Sequence, residues 1–364
     1  MALAAFVLIS LAALPAAAAG SAAPPLPVLH AKAAVVYDAT SGKFLYSQNG
    51  SVELPMASLT KMMTAFVALR DWHDNMSRKM VVPKQVSQVY GTMIYLRPGE
   101  VYTFKQLMLA MLLDSANDAA VAIAVNVGGS QRAFVAQMNQ DARLLGLTHT
   151  HFVNVDGLDA PGHYSSARDL ALLGAADMTD PVFRQIVDTR HATIPWPAKH
   201  SVRQLYNINE MLTIFPGADG IKTGYTTNAM NCVVASANKG GHEVIAVVMG
   251  ETRFTVWQDE SALLAWGLKA AQADPLQPPP PTLPMVFRLP AAQVASLHAV
   301  PRSGPGSAPW ALVAGVVGVG GVAAAIQRNR RPRRWRWRGF GGGRRMPRIP
   351  RMKPIPYSHI ARDD

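Results

Sequence analysis

The chain has 364 residues, of which 49% are hydrophobic and 16% charged. It is long enough for one large domain with appendages or for two ordinary domains, and too apolar to be disordered throughout. Cys232 is the sole cysteine, which excludes an intramolecular disulfide scaffold, a zinc finger and an iron–sulfur cluster. The formal net charge is +12, but residues 327–364 hold 12 Arg, one Lys and two Asp, so +11 of it sits in the tail and the body is close to neutral. A nucleic-acid-binding domain would spread Lys and Arg over its folded surface, so no nucleic-acid partner is expected.

Residues 1–20 are apolar and end in small side chains, with an A-x-A cleavage pattern within Ala16 to Ala19. They read as a secretory signal peptide, although no Lys or Arg precedes Lys32. Next, Val35, Val36, Phe44 and Leu45 flank Thr40-Ser41-Gly42 and predict a hairpin. From Ser58 the apolar positions Leu59, Met62, Met63, Phe66, Val67 and Leu69 follow helical spacing. A second helical pair is expected over 103–127, broken near Ser115-Ala116-Asn117. After a loop-rich middle, residues 231–250 predict another hairpin, with Asn238 to Gly241 at its turn. A helix near 257–272 closes the unit. Strands at both ends with helices between imply one α/β domain over residues 30–272.

From Pro275 the composition changes. Pro278 to Pro281 are consecutive, and five more prolines follow by Pro309. Residues 275–309 therefore read as an extended linker. Trp310 to Ile326 is a run of 17 residues without a charge, and the Arg-rich tail 327–364 follows it directly. That order predicts a membrane segment over 310–326 with a cytoplasmic tail behind it. The catalytic part is then expected outside the membrane, in the cell envelope.

Three short motifs stand in order within the α/β domain. Ser58-Leu59-Thr60-Lys61 puts a hydroxyl and an amine at i and i+3, on one helix face. A serine needs a base to become a nucleophile, and a lysine held neutral by burial can be that base. Ser115-Ala116-Asn117 falls at the break between two apolar helices, where an N-cap or turn is the plainer explanation. Lys222-Thr223-Gly224 places an ammonium, a hydroxyl and an unobstructed backbone along one strand. Each motif is weak alone; the ordered set is strong.

The trio, together with PMASLTKMMTAFVAL, LLDSANDAAVAIA, HTHFVNVDGLDAPGHYSSARDLALL, DGIKTGYT and VASANKGGHEVIAVVMG, resembles the low-molecular-mass penicillin-binding proteins that are serine-type D-alanyl-D-alanine carboxypeptidases. The resemblance covers residues 30–272. It implies the penicillin-binding-protein/β-lactamase-like transpeptidase fold, an antiparallel sheet flanked by helices. It implies a substrate of peptidoglycan stem peptides ending in D-Ala-D-Ala, covalent binding of β-lactam antibiotics, and no cofactor. By resemblance Ser58 is the acylated nucleophile, Lys61 its base, and Ser115 the relay to the leaving nitrogen. Asn117 holds the substrate's peptide carbonyl, Lys222 contributes to the field around Ser115, and Thr223 binds the terminal carboxylate. The backbone N–H groups of Ser58 and Tyr225 form the oxyanion hole, and Gly224 lets a peptide-like ligand approach closely. Two positions depart from the family: Tyr225 stands where histidine is frequent, and Ile208 where several members carry a carboxylate-binding arginine. Arg253 is a substitute by sequence proximity alone.

Three other readings stay open. A D,D-endopeptidase that cuts cross-links would use the same residues. A class A β-lactamase needs a glutamate in an E-x-x-L-N segment, and Glu210, Glu243, Glu251 and Glu260, the only glutamates beyond Asn117, sit in no such pattern. A non-enzymatic scaffold would not need all six motif side chains. His149, His151 and His163 with Asp156 and Asp159 match no metal-binding helix pattern and are read as structural, so no metal is expected. Cys232, Met62 and Met63 are read as packing residues.

Overall fold

The computed structural model describes residues 25–72 and 75–273, which fall in a single unit of the chain. The expected signal peptide, proline-rich linker, membrane segment and Arg-rich tail lie outside the described residues. The expected α/β architecture is present. Its centre is a five-stranded antiparallel sheet in the order β2-β1-β9-β8-β7. Here β1 is Ala33–Asp38, β2 Lys43–Gln48, β7 Ala218–Thr226, β8 Met230–Lys239 and β9 His242–Glu251. Both expected hairpins are present, with β1 paired to β2 and β8 paired to β9.

The sheet is buried on both faces, which is why its inner strands read as near-continuous apolar runs. Side chains alternate between two cores. Val35, Tyr37, Val234 and Val247 enter the larger core, whereas Ala34, Val36, Val233 and Val248 enter the smaller one. Helix α8 (Val256–Ala273) covers the smaller core with Leu263, Leu264 and Leu268. Each such leucine contributes about 2 kcal/mol by leaving water.

The other face carries most of the remaining helices. These are α1 (Thr60–Trp72), α2 (Phe104–Leu112), α3 (Asn117–Gly128), α4 (Gln131–Leu144), α5 (Ala167–Met178) and α6 (Pro181–Val187), whereas the short α7 (Met211–Ile214) lies on the side of α8, its Met211 entering the smaller core. The expected break between α2 and α3 falls at Ser115-Ala116. Two small ribbons complete the fold, β3 (Lys79–Val81) with β4 (Val101–Thr103), and β5 (His191–Trp196) with β6 (Ser201–Tyr206). The middle of the chain is thus more regular than the expected loops. Helices α4, α5 and α6 each start at a capping side chain, Ser130, Ser166 and Asp180. Those caps satisfy the first free backbone N–H groups and help short helices nucleate against the core. Edge strand β7 runs beside the turn that precedes α1, and this contact creates the site.

Candidate active site

Ser58 sits in the 3₁₀ turn Ala57–Leu59 that leads into α1. Ala57 is held at φ +49°, a left-handed conformation uncommon for alanine. A hydrogen-bond chain behind the turn keeps it there. Val153 N–H donates to His163 Nδ1 at 3.0 Å, so the proton of the neutral ring lies on Nε2. That Nε2 contacts Thr60 Oγ1 at 2.8 Å, and Thr60 Oγ1 donates to the Ala57 carbonyl at 2.8 Å. Burial, and secondarily His151, pushes the His163 pKa down to about 4, so the ring stays neutral at ordinary pH.

Lys61 lies one turn on and is fully buried. Its Nζ donates to Ser58 Oγ at 2.8 Å, to Asn117 Oδ1 at 2.7 Å and to the Asp156 carbonyl at 2.6 Å. Burial lowers its pKa to about 8, against an opposing pull from Asp156 and Asp118. A neutral amine there keeps two N–H groups for Asn117 and Asp156 and turns its lone pair towards the Ser58 hydroxyl. The arrangement is that of a serine with its base in contact.

Ser58, Ser115, Thr223, Gly224 and Tyr225 line one cleft of about 260 Å³. Ser115 enters it from the α2–α3 break with φ +59°. Asn117 sits behind it, accepting from Lys61 and donating Nδ2 to the Tyr90 carbonyl at 2.8 Å, which leaves one amide hydrogen unused. Lys222 is buried under β7 with Nζ donating to the Thr223 carbonyl at 3.0 Å. Burial, and then the nearby Lys61, holds its pKa well below the ordinary lysine value. A Cβ on Gly224 would stand 2.9 Å from the Ser58 nitrogen and 3.1 Å from the Met56 carbonyl oxygen. Only glycine lets β7 close on the nucleophile turn this tightly. Tyr225 is 66% exposed, at the cleft mouth.

All eight residues singled out from the sequence therefore converge. Arg253 does not line the cleft; it is exposed and stacks on Phe254 at 4.7 Å. Ile208 does line it, as do Val256 and Trp257. Among the described residues no carboxylate side chain lines it: Glu243 pairs with Arg184, Glu260 is buried against the Ala235 N–H, and Glu251 accepts from Thr252 and Thr255 beside α8. Of the histidines read as structural, His151 contacts the Gly162 carbonyl through Nδ1 at 2.6 Å and His149 contacts Thr148 Oγ1 through Nδ1 at 3.1 Å. The Asp156 carbonyl is a site group that sequence reasoning missed. A backbone acceptor has no side-chain signature, and only the Asn154-to-Gly157 turn, in which Asn154 Oδ1 accepts from the Gly157 N–H at 2.7 Å, hints at it.

A hydroxyl in contact with a buried amine, at the foot of an edge strand bearing Lys-Thr-Gly, defines the class: a serine acyl-transfer fold of the penicillin-binding type. The chain belongs to peptidase family S11, D-alanyl-D-alanine carboxypeptidase, whose profile matches residues 19–253. It is 38% identical over 223 residues to D-alanyl-D-alanine carboxypeptidase DacF of Bacillus subtilis, covering 60% of this chain and 57% of that protein. It is 37% identical to D-alanyl-D-alanine carboxypeptidase DacA of Escherichia coli K12, covering 68% of this chain and 62% of the relative. The chain thus spans less than two thirds of the length of these relatives. The crystal structure of D-alanyl-D-alanine carboxypeptidase from Mycobacterium tuberculosis H37Rv superposes with a TM-score of 0.64 at 34% identity, over 68% of this chain and 94% of that one.

Proposed function

We propose that the chain is a serine-type D-alanyl-D-alanine carboxypeptidase acting on peptidoglycan stem peptides. The observation that carries this reading is the 2.8 Å contact between Ser58 Oγ and a fully buried Lys61 whose pKa is lowered to about 8. Neutral Lys61 takes the Ser58 proton as Oγ attacks the carbonyl carbon of the penultimate D-alanine. The oxyanion forms against the backbone N–H groups of Ser58 and Tyr225. The C–N bond then breaks, and Ser115 passes a proton to the departing D-alanine nitrogen. Water later hydrolyses the Ser58 ester and releases the shortened peptide. Asn117 offers its unused N–H to the substrate's carbonyl. Thr223 binds the terminal carboxylate in the field of Lys222.

A β-lactam enters the same sequence. Ser58 opens its ring, but the leaving nitrogen stays tethered to the acyl group and obstructs water. In the folded chain's wider setting, a signal peptide at 1–20 and a membrane segment at 310–326 would hold the catalytic domain on the outer side of the cytoplasmic membrane. Sequence composition alone supports that part. The deciding experiment is twofold. Purified protein is given a peptide ending Lys-D-Ala-D-Ala and free D-alanine is measured, and labelled penicillin is mapped by mass spectrometry to the peptide containing Ser58. Label that persists in Ser58→Ala, or the absence of D-alanine release, sinks the reading.

A further inference from the structure

We propose that Asp118 is a positioning residue of this site, whose carboxylate holds the Tyr90–Leu96 loop against the contact between Asn117 and Lys61. The inference rests on the acyl-transfer reading above and adds a residue outside the three motifs. Asp118 is the second residue of α3; its side chain is buried and does not line the cleft. A buried carboxylate is costly unless it is hydrogen-bonded, and among the described residues Asp118 has no ion-pair partner. Its partners are backbone donors. Oδ2 accepts from Leu96 N–H at 2.8 Å, and Oδ1 accepts from Ile94 N–H at 3.3 Å and from Ala119 N–H at 3.0 Å. The first turn of α3 adds the favourable end of the helix dipole.

Asn117 grips the other end of the same loop. Its N–H donates to the Thr92 carbonyl at 2.8 Å and its Nδ2 to the Tyr90 carbonyl at 2.8 Å. Thr92 lines the cleft beside Ser58 and Ser115. Asn117 Oδ1 is also a partner of Lys61 Nζ. Two successive residues of α3 thus fix one wall of the cleft and one contact of the base. Arg203 adds a separate anchor from β6, donating to the Tyr95 carbonyl at 3.1 Å. If Asp118 lets go, the loop slackens at Ile94 and Leu96 and the Asn117 amide shifts with it.

The carboxylate also acts through its field. The charged groups facing Lys61 are Asp118 from α3, Asp156 from the loop after α4 and Lys222 from β7, and the two carboxylates favour the ammonium form against burial. A neutral side chain at 118 removes one of the opposing terms. Lys61 then loses its proton at lower pH, so the acid limb of the acylation profile moves down. A residue with a packing role alone would slow the reaction without moving that limb.

The test compares wild type with Asp118→Asn and Gly91→Ala, using the rate of Ser58 acylation by a fluorescent penicillin as a function of pH. Asp118→Asn keeps the volume but puts an NH2 group against backbone donors. Acylation should fall about 10²-fold, the scale of loss for a site displaced by about 1 Å, with the acid limb at lower pH. Gly91 has φ +82°, and a Cβ there would stand 3.0 Å from Asn117 Nδ2. Gly91→Ala should therefore slow acylation and leave the limb in place. Hydrogen exchange gives a readout independent of activity and of any variant: the Ile94 and Leu96 amides of wild type should be protected like those of α3. Free exchange there overturns the inference. So does an Asp118→Asn protein with wild-type rate and wild-type limb. A wild type that is never acylated sinks the proposed function instead, and leaves the exchange result to decide this one.

Discussion

The pair Ser58 and Lys61 ties the chemistry to pH. A base works in its neutral form, and burial brings the Lys61 pKa to about 8. Acylation by a β-lactam should therefore rise with pH through about 8 and level off above it, which a stopped-flow pH series measures directly. Lys61→Ala should lower the acylation rate by about 10²- to 10⁴-fold, the usual weight of a positioned base, while circular dichroism shows an intact fold. His163 sets a second pH dependence, on stability. Its folded pKa, about 4, lies below the ordinary histidine value of 6.5. The unfolded chain then binds the extra proton in the window between those values, so stability is complete above pH 6.5 and is lost as pH falls towards 4. The loss amounts to about 3 kcal/mol. Thermal melts between pH 4 and pH 7 should show this slope, and His163→Gln should flatten it; a slope unchanged in the variant places the titration elsewhere.

At the level of elements, the site is a meeting of an edge strand with a helix start. Gly224 makes the meeting close, since a Cβ would press on the Ser58 nitrogen at 2.9 Å. That neighbour is backbone and cannot rotate away. Gly224→Ala must shift β7 or the Ser58 turn to admit the methyl group, and should cut acylation by about 10²-fold. A variant that acylates at the wild-type rate would show that β7 need not touch the turn. Much of this framework was legible in the sequence. The apolar runs of β1, β8 and β9 around their turns, the helical spacing after Ser58 and the polar break at Ser115 all carry local signals. Helices α4 to α6 carry less, since their exposed faces are polar and their starts depend on single caps such as Ser166. The motif residues were legible because three short motifs fix their residue types at set spacings: hydroxyls, amines and an amide at Ser58, Lys61, Ser115, Asn117, Lys222 and Thr223, and a glycine at 224 where the close approach leaves no room for a Cβ. Asp156 and Asp118 were not, because one contributes a carbonyl and the other a carboxylate bonded to backbone N–H groups of a loop 22 to 24 residues away in sequence.

Over the whole molecule, what the cleft lacks and where the charge lies lead to the remaining expectations. Among the described residues no carboxylate side chain lines the cleft to activate water, and a ring-opened β-lactam keeps its leaving group tethered beside the Ser58 ester, where it obstructs the approach of water. The adduct should be long-lived, and fast multiple turnover of penicillin would contradict this. The charge distribution bears on topology. Thirteen basic residues follow the uncharged stretch from Trp310 to Ile326, while the linker 275–309 before it holds only Arg288 and Arg302. If that stretch spans the membrane as proposed, the positive-inside rule would put the tail in the cytoplasm and the catalytic domain on the other side, where peptidoglycan lies. A helix over those 17 residues is about 25 Å long at ~1.5 Å per residue, slightly short of a ~30 Å hydrocarbon core. Local thinning of the bilayer or snorkelling of Arg328 would have to make up the difference. An amphipathic surface helix would need a polar face, which this stretch does not have. Protease added to intact spheroplasts should therefore remove the catalytic domain and spare an Arg-rich fragment that stays with the membrane through carbonate extraction. A tail cut from outside, or full-length protein released by carbonate, would rule this topology out.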